Sequence, residues 1–207
     1  ILKIADEEKP QALLIAGDVY DKSIPTVEAI QLFDDFLCEL SKRKVQTFII
    51  SGNHDSAERM AFGGRLMKES GVYVAPVYAG KTQAVVLEDE WGPINIYLLP
   101  FVKPANVKRF FEDEQIENYT DAIRVAVEQM KLNTDERNVL VTHQFVTGAD
   151  RSDSEETWVG GLDNVSAEVF KDFDYVALGH IHRSQKMGRE TLRYSGRRLS
   201  IFFGSRS

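Results

Sequence analysis

The stretch Ala12-Leu-Leu-Ile-Ala-Gly-Asp18 decides how this chain is read. A short, wholly apolar run that ends in Gly-Asp reads as a strand buried on both faces and running into a loop. The same arrangement recurs three times. Gln46-Thr-Phe-Ile-Ile50 leads into Ser51-Gly-Asn-His-Asp55, Asn138-Val-Leu-Val-Thr142 into His143, and Asp174-Tyr-Val-Ala-Leu178 into Gly179-His-Ile-His182. Strands buried on both sides need covering layers, so helices packed on sheets follow, an α/β domain. In open α/β sheets the carboxyl ends of strands are where ligands sit, and here those ends carry the polar residues.

Between these strands the pattern alternates. Residues 25–44 place Val27, Ile30, Phe33, Leu37 and Leu40 at a spacing of three and four, which predicts an amphipathic helix with Pro25 at its first turn and this stripe in the core. Residues 56–70 predict a further helix. Residues 72–77, 82–87 and 94–98 predict strands, with Gly92-Pro93 as a turn, and 104–111 and 120–131 predict helices. The Phe110-Phe111 pair is expected to pack.

Composition bounds the function. The 207 residues are 43% hydrophobic and 28% charged, which excludes a wholly disordered chain and suits one large domain. No apolar run approaches the roughly 20 residues that span a bilayer, so no membrane partner is expected. Residues 1–11 form a charged, helix-like start with no signal-peptide pattern, and Cys38 is alone, which excludes an internal disulfide or a Cys-rich zinc site. A cytoplasmic setting is expected. The net charge of −7 argues against a protein that coats nucleic acid by charge alone. It is uneven: residues 183–207 hold seven Arg/Lys against Glu190, leaving −13 on residues 1–182. The basic end faces phosphates or is a solvated end.

The four histidines carry the chemistry. His54, His143, His180 and His182 are all there are, and each directly follows a predicted buried strand beside Gly, carboxylate or amide. Imidazole with carboxylate and amide oxygen, and no thiolate, suits Mn, Fe or Zn. A shared carboxylate such as Asp18 bridges two cations about 3.5–4 Å apart, an arrangement that polarises a phosphoryl group and activates water. One histidine left free protonates the leaving oxygen.

Gly17-Asp-Val-Tyr-Asp21, Gly52-Asn-His-Asp55, His143 and Gly179-His-Ile-His182 resemble, in order and spacing, the signature of the calcineurin-like metallophosphoesterases. Asp55-Ser-Ala-Glu-Arg59, Gly161-Leu-Asp163, residues 173–182 and Arg193-Tyr-Ser-Gly196 narrow the resemblance to the nuclease subunits of bacterial SbcCD complexes. The resemblance implies a fold of two packed mixed β-sheets flanked by helices. It implies two divalent ions, Mn2+ foremost. Asp18 would bridge them, Asn53, His143 and His180 would hold one, and His182 the other. His54 would be the catalytic proton donor, oriented by Asp55, with Asp21 outside the ligand set. It also implies DNA cleavage at double-strand ends or hairpins, an SbcC-type ATPase partner, and a homodimer within a heterotetramer.

The chain departs from that pattern twice. The family's opening strand and its Asp-x-His do not precede Asp18, which implies that roughly 40–50 family residues are missing and that residues 1–196 are an N-terminally truncated nuclease domain. The ion served by His182 then keeps only Asp18 and His182, and the chain alone is expected to be nearly inactive as a nuclease. After Tyr194-Ser-Gly196 the family continues Ser-Pro-Leu-Lys-Tyr, whereas this chain has Arg197-Arg-Leu-Ser-Ile201. The codons GGT CGC CGC TTA AGT ATT encode Gly-Arg-Arg-Leu-Ser-Ile and, from the third base, Ser-Pro-Leu-Lys-Tyr, so residues 197–207 read as a frameshifted tail. Competing readings are another two-metal phosphoesterase, acting on nucleotides or phosphoproteins, and a catalytically dead fragment. Asp55 stands against a protein phosphatase, which carries Glu there. Arg59 contacts phosphate or forms a salt bridge on its helix. Trp158 stacks on a base or packs in its loop. Lys103, Lys108 and Arg109 line a DNA path or a solvated helix face, and the acidic loop 150–156 is expected to be mobile.

Overall fold

The computed structural model describes residues 1–150, 163–196 and 200–202. Trp158, Gly161, most of the acidic loop, and the tail arginines Arg197, Arg198 and Arg206 lie outside the described residues. The elements in chain order are α1 (Leu2–Glu8), β1 (Ala12–Ala16), α2 (Val27–Lys42), β2 (Gln46–Ile50), α3 (Ala57–Ala61), α4 (Gly64–Glu69), β3 (Val72–Ala75), β4 (Val85–Asp89), β5 (Gly92–Leu99), α5 (Pro104–Lys108) and α6 (Tyr119–Glu128). They continue with β6 (Arg137–His143), β7 (Phe145–Val146), β8 (Asn164–Val165), a 3-10 turn (Ala167–Phe170), β9 (Tyr175–Gly179), β10 (Gln185–Met187), β11 (Arg189–Tyr194) and β12 (Ser200–Phe202). Among the described residues no helix is long and apolar enough to cross a membrane.

Two mixed sheets pack face to face. The first has the order β12–β1–β2–β3, the second β10–β11–β9–β6–β5–β4. Within the first, β1, β2 and β3 are parallel and β12 is antiparallel to β1, with Phe202 opposite Ala12. Within the second, β5, β6, β9 and β11 are parallel, and β4 and β10 run antiparallel at the edges.

The alternation of side chains on each strand builds three apolar layers. Ala12, Leu14, Ala16, Phe48 and Ile50 face Ile94, Ile96, Leu98, Val139, Val141 and Ala177 between the sheets. Leu13, Ile15 and Ile49 turn the other way, onto Leu37 and Leu40 of α2. Leu140, Val176 and Leu178 meet Val107, Ile123 and Phe170 on the far face of the second sheet. Both faces of β1 are therefore covered, which is why it is apolar at every position. Each such large side chain contributes about 1.5–3 kcal/mol through burial.

Three expectations need correction. The α2 stripe is core only in its second half: Leu37 and Leu40 are buried, but Val27 is 65% and Ile30 44% exposed. Residues 56–70 form two short helices, because Phe62 is extended and Gly63 holds φ 76, in the left-handed region. The β4–β5 turn is at Glu90-Trp91, since Asp89 pairs with Gly92 and Gly92-Pro93 already belongs to β5. Phe110 stands edge-on to Tyr78 with the Arg109 guanidinium 4.5 Å over its ring, while remaining 41% exposed.

Candidate metal centre

The parallel strands β1 and β2 of one sheet and β6 and β9 of the other end at the same edge of the sandwich. Asp18 follows β1, Asn53 and His54 follow β2, His143 closes β6, and His180 follows β9. These ends meet tightly, and glycines make that approach possible. A Cβ on Gly52 would lie 2.1 Å from Asp18 Oδ1, so only a residue without one lets the two loops meet.

His143 is the hub. It is 1% exposed, and its Nδ1 lies 2.7 Å from the carbonyl oxygen of Ala16 in the opposite sheet. That oxygen only accepts, so Nδ1–H donates and Nε2, which offers a lone pair when the ring is neutral, faces inward. Nε2 points at Asn53 Oδ1, 2.9 Å away, and at Asp18 Oδ2, 3.2 Å away. The Nδ1 of His180 reaches the same Asn53 oxygen at 3.0 Å. Four groups rich in lone pairs thus converge on one point. An imidazole N–H turned inward, or a cation in their midst, makes this convergence favourable. Nitrogen and oxygen donors with no sulfur fit a first-row divalent ion, so the residues present suit the metal. Among the described residues, Asp18, His143 and His180 form the group close enough to share an ion, with ligand atoms within 4.8 Å of one another.

The electrostatics agree with a charged Asp18. Burial pushes its carboxyl up, but the hydrogen bond and charge of His143 and the amide of His54 hold it below the usual carboxylate value. Asp55 shows the opposite direction: burial raises it, the amides of Gly52, Tyr20 and Val19 oppose the rise, and the negative charge of Asp18 adds to it.

The remaining expected residues fall around this point. The His54 ring stands outside the group; its backbone N–H donates to Asp18 Oδ1 at 3.1 Å, and its Nδ1 lies 3.3 Å from the Asp21 carbonyl oxygen. The Asp55 carboxylate, expected to orient this ring, accepts hydrogen bonds from the backbone amides of Val19, Tyr20 and Gly52. His182 is half-buried and is not in the ion-sharing group. Arg59 lines the groove beside α2 instead of the metal centre.

Several supporting residues were not singled out from the sequence. Phe101 stands edge-on to His143 at 6.2 Å, and Phe145 edge-on to His180 at 6.3 Å, forming an aromatic wall. Tyr194 is fully buried. Its hydroxyl accepts from the Val146 amide at 2.8 Å and donates to the Gln144 carbonyl at 2.7 Å, fixing the chain just after His143. A buried tyrosine with both hydrogen-bonding roles filled is a positional device, and only the Tyr-Ser-Gly motif in the sequence hinted at it.

A family model described as calcineurin-like phosphoesterase matches residues 1–184. The chain is also similar to a protein of Staphylococcus epidermidis named as the SbcD subunit of the nuclease SbcCD, with 34% identity over 204 residues. That alignment covers 96% of this chain and 53% of the relative, so the chain spans about half the relative's length.

Proposed function

The chain belongs to the calcineurin-like phosphoesterase family, and from that premise we propose that it is a metal-dependent phosphodiesterase acting on DNA. The observation that carries the proposal is the convergence of Asp18, Asn53, His143 and His180 on one point from the ends of two different sheets. Asp18 and Asn53 would offer oxygen, His143 its Nε2, and His180 its Nδ1. That mixed set suits Mn2+, Fe2+ or Zn2+, and the resemblance to SbcCD nuclease subunits puts Mn2+ foremost. The bound ion would polarise the phosphoryl group and lower the pKa of water at the site.

The other groups of the site have their own tasks. Ala16, through its carbonyl, keeps the His143 lone pair aimed inward. His54, held to the Asp18 loop by its backbone, would give its proton to the leaving oxygen. Phe101 and Phe145 exclude water from one side of the imidazoles. His182 together with Asp18 is the remaining candidate for a second ion.

DNA as substrate and an SbcC-type ATPase as partner rest on the relative's name and on the Asp55-Ser-Ala-Glu-Arg59 and Tyr194-Ser-Gly196 motifs. Titration of the purified chain with Mn2+ is expected to give one tight site, with slow, EDTA-sensitive hydrolysis of bis(p-nitrophenyl) phosphate and of linear or hairpin DNA. Absence of Mn2+ uptake would overturn the proposal. Cleavage of nucleotides with no action on DNA would shift it to a nucleotide phosphodiesterase.

The exposed half of α2 supports the homodimer. Ile30 on α2 and Phe62 after α3 are exposed apolar side chains that line a groove of about 760 Å³, and Val27 on α2 and Leu66 on α4 are exposed as well. Exposed apolar side chains lining a groove mark an association site. Two copies would bury it against itself, as a two-fold interface is self-complementary. Phe62 is 88% and Leu66 79% exposed, so Phe62→Ser with Leu66→Ser leaves the core intact. Light scattering is expected to find a dimer for the parent chain and a monomer for the double variant. A parent chain that stays monomeric at high concentration removes this reading.

A further inference from the structure

The loops after β1 and β2 exchange aspartates. The Asp18 carboxylate, on the first loop, accepts from the His54 amide on the second at 3.1 Å. The Asp55 carboxylate, on the second loop, reaches back to the first: Oδ1 accepts from Tyr20 N–H at 3.0 Å and Oδ2 from Val19 N–H at 3.2 Å. The same Oδ2 accepts from Gly52 N–H in its own loop at 2.8 Å. Three amides from two loops therefore share one half-buried carboxylate.

The conformation of Asp18 explains why such a clasp is needed. Its φ is 48, in the left-handed region, which costs a residue with a Cβ and which Asp enters where local hydrogen bonds support it. The two residues that follow it are the ones Asp55 grips. Their amides lie past the end of β1, outside the strand ladder, so the carboxylate fills their hydrogen-bonding capacity and fixes the turn that aims Asp18.

We propose that Asp55 is a positioning residue: its carboxylate clasps the Val19 and Tyr20 amides to the Gly52 loop and thereby aims Asp18 at the cation. It neither binds the ion nor acts on the His54 ring. This rests on the reading of Asp18 as a ligand. An acceptor with two oxygens is required, because a carboxamide presents one oxygen and turns an N–H2 against amide donors.

The test is Asp55→Asn in the full chain, read by amide hydrogen exchange of the metal-free protein and by Mn2+ titration. The amides of Val19, Tyr20 and Gly52 are expected to lose protection while β1 and β2 keep theirs. Mn2+ affinity is expected to fall by about 10–100-fold, the usual cost of losing a group that orients a ligand. Ser56→Ala, in the same loop but outside the exchange, is expected to match the parent in both measurements. Asp55→Glu, which keeps two acceptor oxygens on a longer arm, is expected to lie between the parent and Asp55→Asn, a gradation that loss of fold would not give. An Asp55→Asn chain that binds Mn2+ within about twofold of the parent overturns the proposal. So does a loss of protection spread through both strands. A parent chain that takes up no Mn2+, yet shows the three amides protected by Asp55, sinks the metal reading and leaves the clasp standing.

Discussion

Replacing His143 with alanine is expected to remove Mn2+ binding and any phosphodiesterase activity together. The imidazole contacts both sheets: Nδ1–H donates to Ala16, and Nε2 faces Asn53 and Asp18. Loss of a group that merely orients a ligand costs about 10–100-fold in affinity, so loss of this central donor is expected to exceed ~100-fold. The fold is expected to survive. The buried Ala16 carbonyl loses its partner at a cost of about 1–3 kcal/mol, which lowers the melting temperature by a few degrees in a chain of this size. His182→Ala is the comparison. That ring is outside the Asp18, His143 and His180 group, and its removal is expected to leave Mn2+ affinity at the first site within about tenfold. Calorimetric titration of both variants separates the two cases. Equal losses would place His182 in the same site and overturn this geometry.

The convergence of the candidate metal-site residues was legible in the sequence to the extent that it depends on strand ends. β1 and β2 could be read to the residue because both faces are covered, which leaves a continuous apolar run with a polar loop behind it. Four such runs, each ending beside a histidine or an aspartate, already implied convergence. What the sequence did not carry was any contact made by the backbone of a distant loop. The family resemblance implied that Asp55 orients the His54 ring. The hydrogen bonds of its carboxylate cross 35 and 36 positions to the amides of Tyr20 and Val19, which have no side-chain signature.

The α2 stripe fails for a different physical reason. A period of three to four shows which face of a helix is apolar, and nothing in the period shows what covers that face. Packing on the first sheet accounts for Leu37 and Leu40, whereas Val27 and Ile30 remain exposed. The same mismatch between pattern and cover supports a second copy at that surface. Short strands such as β7, β8 and β10 hold two or three residues each and leave no periodicity to read.

Among the described glycines, Gly179→Ala is expected to be the most disruptive addition of a single methyl group. A Cβ built there lies 1.7 Å from the Ala16 carbonyl oxygen and 2.6 Å from His143 Nδ1, against ordinary contacts of 3.4–4 Å. Neither neighbour can yield easily. The carbonyl belongs to the buried strand β1, and the imidazole is bonded to that same carbonyl. Relief requires the ends of β1 and β9 to part, which draws His180 away from Asn53 and breaks the bond that orients His143. Overpacking of this severity is expected to cost about 3 kcal/mol or more, or roughly 6–12 °C in melting temperature for a chain of this length. Mn2+ binding is expected to be lost even at temperatures where the chain remains folded, since the four donors no longer meet. Gly188→Ala serves as the control: its Cβ would meet nothing within 4 Å, although its φ of 76 carries a conformational cost of its own. That backbone cost is about 1–2 kcal/mol and leaves the metal centre untouched. A Gly179→Ala protein that melts within about 2 °C of the parent and still binds Mn2+ would show that the two sheets do not close over His143.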